Sequence, residues 1–213
     1  MLDLLFPSVC LGCQALLWRP ADGPFCGRCA PEVVALPANT RTVDAVTSLF
    51  AYEGPLQRAL ARFKYHGNPA WAGPLGALLA RAPELAADPA GRPWDAIVPI
   101  PLHWRRLLAR GFNQSLLLAR SARRHGTLAR VRLETTWLRR TRATPPQAEL
   151  DAATRQHNLR DAFAVPHPAR VRGRHILLVD DVTTTGATLA EASRALLHAG
   201  AAHAGALTLM RTL

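Results

Sequence analysis

The chain has no apolar run near the ~18 residues that a membrane-spanning helix requires. It has no cysteine beyond residue 29 and only one lysine, Lys64, against 25 arginines. The first absence excludes a helical integral membrane protein. The opening Met1-Leu2-Asp3-Leu4-Leu5-Phe6-Pro7 is apolar but short, lacks a basic segment and runs straight into a cysteine pair. It does not read as a signal peptide, so the expected location is the cytoplasm. In a reducing compartment a disulfide framework is disfavoured, and four thiols crowded into the first 29 residues read better as metal ligands. Acids are scarce in one long stretch. Between Arg105 and Arg142 there are eleven arginines and one acid, Glu134, so this stretch carries ten of the eleven net positive charges. A coding bias towards arginine explains why lysine is rare, but not why acids are missing. Nucleic acid, a pyrophosphate group or both are the polyanions such a stretch would suit; the alternative is a basic, solvated helix face.

With 213 residues, half of them apolar, the chain can build one sizeable α/β core and a small appendage. Residues 1–35 form the appendage, a four-cysteine module, and residues 36–213 the main domain. Leu36–Thr42 reads as a linker. Strands are expected over Val43–Tyr52, Trp94–Ile100, Thr135–Leu138, His175–Asp180 and Ala204–Met210. Helices are expected over Pro55–Phe63, Trp71–Leu85, Phe112–Arg124, Ala152–Leu159 and Ala187–Ala199. Lys64–Pro69 and Thr141–Pro146 carry loop composition. Strands alternating with helices argue for a mostly parallel sheet covered on both faces.

Residues 176–189 read Ile-Leu-Leu-Val-Asp-Asp-Val-Thr-Thr-Thr-Gly-Ala-Thr-Leu. Four apolar residues carry the chain through the sheet, two acids stand where the strand is expected to end, and a Thr/Gly turn opens a helix. Ligands of open α/β sheets bind at the carboxyl ends of the strands. Backbone N–H groups over Thr184–Thr188 would face outward at the helix start, where the helix dipole also favours an anion. Thr183, Thr184, Thr185 and Thr188 add hydroxyl donors, Gly186 lets backbone approach a phosphate without a Cβ in the way, and Ala187 belongs to the same binding turn. Asp180 and Asp181 are wrong for phosphate but right for sugar hydroxyls, and one can help hold Mg²⁺. The alternative is an ordinary βα turn with an Asp cap, which needs neither the second acid nor three threonines. Arg105, Arg106 and Arg110 follow the other buried strand and face the same crevice, placed to draw off a pyrophosphate.

Cys10-Leu11-Gly12-Cys13 and Cys26-Gly27-Arg28-Cys29 give C-x2-C-x12-C-x2-C, two tight turns able to present four thiolates to one structural Zn²⁺. The alternative is a pair of redox Cys-x-x-Cys sites. Nothing else in so short an arm would bury a core, so the metal is expected to supply its folding energy.

The acid-threonine turn resembles the 5-phosphoribosyl 1-pyrophosphate (PRPP) fingerprint of the type I phosphoribosyltransferases. Lys64-Tyr65-His66-Gly67, Val98-Pro99-Ile100-Pro101, Arg110-Gly111-Phe112-Asn113-Gln114, the Arg142…Thr144-Pro145-Pro146-Gln147 loop with Arg155 and Asn158, and the Asp180–Gly186 run occur in an order that resembles the ComF/GntX family. That resemblance extends from Cys10 to the C-terminus. It implies a type I phosphoribosyltransferase fold over residues 36–213, PRPP with Mg²⁺ as ligand, a zinc-binding N-terminal module, and a part in handling DNA taken up during competence, with DNA-uptake proteins as partners. Threonine at 184, where purine-specific phosphoribosyltransferases carry an acid, argues against purine salvage. Two functions stay open: a transferase in which Asp180, Asp181, Arg105 and Arg106 are catalytic, and a PRPP-sensing or vestigial site on a module that grips single-stranded DNA through residues 105–142.

Overall fold

The computed structural model describes residues 8–17, 23–65, 68–125, 129–142 and 161–213. Among them a six-stranded sheet runs in the order β1-β2-β8-β7-β3-β4. Its strands are β1 (Thr42–Val43), β2 (Val46–Ala51), β3 (Ala96–Pro99), β4 (Arg132–Leu133), β7 (His175–Thr183) and β8 (His203–Arg211). A separate antiparallel pair joins β5 (Arg139–Arg140) and β6 (Phe163–Ala164). In the main sheet every pairing is parallel except that of β1 with β2, so the expected α/β class with a mostly parallel sheet is the one adopted.

The central strand β7 explains the layering. Ile176 to Val179 are all buried, and the period of two sorts them to opposite faces. Leu177 and Val179 join Leu207 and Leu209 beneath three helices: α1 (Gly54–Tyr65), α2 (Ala72–Leu79) and α4 (Gln114–Arg123). Ile176 and Leu178 join Ala204 and Ala206 beneath α6 (Ala187–His198), with Val171 of the short α5 (Pro168–Val171). A strand covered on both faces needs an unbroken apolar run, which is what the sequence shows there.

Several boundaries differ from the sequence-based expectations. The strand expected over Val43–Tyr52 is a hairpin, because Asp44 and Ala45 take left-handed φ values of 48° and 63°. The helix expected to reach Leu85 stops at Leu79, and Pro83 opens a separate turn after an extended Ala82, since the residue before a proline is pushed out of helical form. Lys64 and Tyr65 are the last turn of α1 rather than loop. Thr135–Leu138 is not a strand; Trp137 and Leu138 are apolar because they fill the second core, between β4 and β5. A helix over Trp104–Arg110, α3, was not expected, since its face carries no buried residue. The part of the loop expected over Thr141–Pro146 from residue 143 onward and the helix expected over Ala152–Leu159 lie outside the described residues.

The cysteine module leans on the main core. Cys10, Leu11, Phe25 and Cys29 belong to the same buried cluster as α1 and α2. A Cβ on Gly12 would lie 2.7 Å from Pro55 Cβ and 2.9 Å from Cys29 Sγ, so the close approach to α1 requires glycine. Arg62 of α1 donates to the carbonyls of Leu11 (3.2 Å) and Gly12 (2.8 Å). Packing on α1 and α2 therefore contributes to the module's folding energy, contrary to the sequence-based expectation that a metal alone supplies it.

The connections place a candidate ligand crevice. From β3 the chain passes through α3 and then α4, the latter on one face, to the outer strand β4; from β7 it passes through α6, on the other face, to β8. The two connections leave in opposite directions, so the gap between the carboxyl ends of β3 and β7 is a topological switch point, the usual place for a ligand in an open α/β sheet.

Candidate functional site

The strand β7 does not end at the acids. It continues to pair through Val182 with Met210 and Thr183 with Arg211, so Asp180 and Asp181 are held in sheet geometry and the turn begins only after Thr183. Gly186 then takes φ +74° and caps α6, a left-handed conformation that glycine adopts without strain. Asp180, Val182 and the residues from Thr183 to Leu189 line a hollow of about 80 Å³. That is well below the ~300–1,000 Å³ of whole-ligand pockets, and it suits a single oxyanion. The amides are not all bare. The Gly186 N–H donates to Thr183 Oγ1 at 3.0 Å and the Ala187 N–H to Thr185 Oγ1 at 3.4 Å. The threonines therefore tie the turn to itself, and the longer, weaker bond is the one an oxyanion would most easily displace. Thr184 and Thr185 are exposed, Gly186, Ala187 and Thr188 half-buried.

The two acids have separate partners. Asp180 Oδ1 accepts from Ser115 Oγ at 2.6 Å and from the Asp181 N–H at 2.9 Å. Burial, and after it the charge of Asp181, push the Asp180 carboxyl up to about 6, against the pull of Ser115, the Asp181 N–H and Lys64. Asp181 is buried, and its Oδ1 lies 2.9 Å from Lys64 Nζ. Ser115 reaches Asp180 through a chain of local devices. Gly111 stops α3 in left-handed form, and Phe112 packs on Phe63 at 5.4 Å. Asn113 caps α4 by accepting from the Leu116 N–H, while its side-chain amide donates to the Ile100 carbonyl at 3.0 Å. The Arg110–Gln114 motif is thus largely a scaffold that fixes the first turn of α4 against the end of β3.

The predicted cations divide. Arg105 is exposed and stacks on Trp104 at 5.3 Å. Arg106 is half-buried; burial and then the charge of Arg110 lower its pKa. Arg140, which sequence reasoning did not single out within the stretch expected to meet a polyanion, is buried and sits over Phe163 at 5.5 Å. Burial first, then Arg106, bring its pKa down to about 10, while Asp180 pulls it back up. His103 is a buried helix cap whose pKa is lowered by burial and by Arg105, Arg140 and Arg106. Arg106 and Arg140 thus lie within each other's field, and Arg140 within that of Asp180; Arg105 is felt at His103. The bearing of Ser115, Lys64 and Arg140 on the acid pair is what sequence reasoning missed. For Lys64 the available signal was its solitary lysine in an arginine-rich chain; for Ser115 and Arg140 there was none.

The four cysteine sulfurs all lie within 4.8 Å of one another, and Cys13 and Cys26 are 3.7 Å apart. The expected edge of a sulfur tetrahedron with ~2.3 Å metal bonds is ~3.8 Å, so the group has room for one such ion. Burial raises the Cys10 thiol, but the backbone N–H groups of Cys13, Cys26 and Gly12 outweigh it and bring it down to about 6; burial pushes Cys29 up to about 12. Among the described residues no helix is long and apolar enough to cross a membrane.

Comparison with known proteins places this arrangement among relatives. The family model of the phosphoribosyl transferase domain matches residues 118–213. The DNA utilization protein YhgH of Salmonella typhi is 37% identical over 197 residues, 91% of this chain and 82% of that protein. Competence protein F of Haemophilus influenzae is 31% identical over 206 residues, 91% of this chain and 86% of that protein. Against YhgH of Escherichia coli K12 the identity is 44% over 119 residues, 56% of this chain, and the match spans only half of that protein's length. A solved structure, the glutamine PRPP amidotransferase of B. subtilis complexed with ADP and GMP, is 19% identical with a TM-score of 0.40, covering 69% of this chain and 30% of that one.

Proposed function

The chain belongs to the ComF family, and from that premise we propose that it binds PRPP with Mg²⁺ at the carboxyl end of β7 and acts, in the cytoplasm, in the use of DNA taken up by the cell. The observation that carries the reading is the coupling, on one strand end at the switch point, of an oxyanion-sized hollow to two carboxylates. The 5-phosphate fits the hollow, held by the amides of Thr184–Thr188 and the hydroxyls of Thr183, Thr184, Thr185 and Thr188. Asp180 and Asp181 accept from the ribose hydroxyls, and Ser115 fixes the direction of the Asp180 oxygens. When bound, Mg²⁺ neutralises the diphosphate and eases its departure. The chain's own part is to orient the ribose, to place carboxylate charge near the anomeric carbon as it turns cationic, and to receive the diphosphate through Arg106 with Arg105 at the rim. The module of residues 1–35 holds a structural Zn²⁺ on Cys10, Cys13, Cys26 and Cys29, with no ligand position left for chemistry. The names of the relatives, DNA utilization protein and competence protein, support the cellular role and, with it, DNA-uptake proteins as partners. The reaction is tested by incubating the chain with PRPP, Mg²⁺ and nucleobase or oligonucleotide mixtures. Release of pyrophosphate that depends on an acceptor establishes a transferase; binding without release leaves a PRPP-sensing site.

A specific groove favours a second, compatible activity. His103, Trp104, Thr135, Arg139, Arg140 and His167 line a depression of about 700 Å³. Trp104 is 58% exposed at its edge, and Arg105 is stacked on it. An exposed aromatic face among arginines suits single-stranded DNA, whose bases stack while its phosphates meet the cations. The measurement is the salt dependence of oligonucleotide binding, expected to fall by ~0.7 log–log unit per phosphate contact; a flat profile contradicts it.

A further inference from the structure

Lys64 is the only lysine in the chain, and it stands at the site. It lies in the last turn of α1, with Nζ 2.9 Å from Asp181 Oδ1, and the two side chains are only 12% and 8% exposed. An ion pair this dry is a poor source of stability, because desolvating both charges offsets most of their attraction. Its location is more telling. Asp181 adjoins the residue that walls the oxyanion hollow, and the charge of Lys64 is felt at Asp180 as well. While it is paired, the Asp181 oxygen facing Lys64 is not available to a sugar hydroxyl. The choice of side chain points the same way. A guanidinium is a planar fork with fixed donors, whereas an ammonium is a compact point charge that turns its three donors to a new partner without reorienting a plane. A chain that uses arginine at every other basic position keeps an ammonium here.

We propose that Lys64 is an exchangeable counter-ion: it neutralises Asp181 in the empty site, releases that carboxylate to the ribose, and moves to the diphosphate. The proposal rests on the PRPP reading above and adds a coupling to it. Ribose binding frees the ammonium that the diphosphate needs, so each half of the ligand raises the affinity for the other.

Because there is one lysine, acylation of side-chain amines reports on Lys64 alone. The full chain is pulsed with acetic anhydride and the Lys64 peptide is quantified by mass spectrometry. Ribose 5-phosphate is expected to raise labelling about tenfold, the factor that ~1.4 kcal/mol of lost pairing sets. Addition of pyrophosphate with Mg²⁺ is expected to lower it again. Lys64→Met is expected to bind ribose 5-phosphate more tightly and pyrophosphate with Mg²⁺ more weakly, whereas a purely structural pair would weaken both or neither. Labelling unmoved by either ligand, in a chain that calorimetry shows to bind PRPP with Mg²⁺, overturns the exchange and leaves the PRPP site standing. Absence of PRPP binding in calorimetry removes the site, and the exchange with it.

Discussion

Asp180→Asn is expected to stabilise the empty protein at neutral pH while destroying its ligand site. Asparagine keeps an oxygen for Ser115 Oγ and for the Asp181 N–H, so the local geometry survives. What disappears is a carboxylate that burial and Asp181 disfavour. Its pKa rises from an ordinary 3.8 to about 6, which corresponds to at most about 3 kcal/mol, since the residue is partly reached by solvent. The sign follows from the protons. Between pH ~4 and ~6 the folded chain holds a proton that the unfolded chain has lost, so the stability this group lends is full below its unfolded value and gone above its folded one. Asparagine does not titrate. The variant and the parent should therefore differ little in this respect near pH 4, and the variant should pull ahead up to pH 7, by as much as about 6–12 °C in Tm at ~2–4 °C per kcal/mol. Thermal denaturation of both proteins without ligand, from pH 4 to 8, reads this directly. A gap of the same size at every pH, or a variant less stable than its parent at pH 8, would refute the electrostatic account of the acid pair.

The remaining consequences concern the other parts of the site. Cys13→Ser is expected to lower bound zinc below one equivalent and reduce Tm, yet to leave the main domain folded, because Leu11 and Phe25 still pack on α1 and α2; metal analysis and thermal denaturation decide it. Gly186→Ala forces a side chain into φ +74°, costing ~1–2 kcal/mol of stability, and should weaken PRPP binding through the distorted turn. Trp104→Ala should weaken oligonucleotide binding by ~1–3 kcal/mol per lost base stack while leaving PRPP affinity unchanged, measured on the same preparation. Arg62→Ala removes two hydrogen bonds to the cysteine module and should cost about 3 kcal/mol in chemical denaturation, taking each charged bond at the low end.

The turn was legible in the sequence because its chemistry is local: strand, acids, threonines and glycine are contiguous, and only their joint presence asks for a ligand. The cysteine cluster was legible for the same reason, since paired thiols at tight-turn spacing have few uses. What escaped was whatever depends on distant packing. Ser115 meets Asp180 across 65 residues, and nothing in the local sequence marks that serine above its neighbours. Arg140 looks like any member of a basic run until β5 turns it over Phe163 and buries it. Trp137 and Leu138 read as strand because burial on one side of an irregular segment imitates the apolar content of a strand. The amides of Gly186 and Ala187 were expected to be bare, whereas the threonine hydroxyls thought to serve the ligand already accept from them. The module's dependence on the main core was hidden too, because Gly12 reveals its packing role only once Pro55 lies 2.7 Å from its missing Cβ.

The central claim is that the turn after β7 holds PRPP. Isothermal calorimetry of PRPP into the full chain with Mg²⁺, run beside Asp181→Asn and Thr185→Val, tests it most directly. The account predicts saturable binding at one ligand per chain, and its loss in both variants while their folds persist. Undiminished heat in the variants, or none in the parent chain, would contradict it.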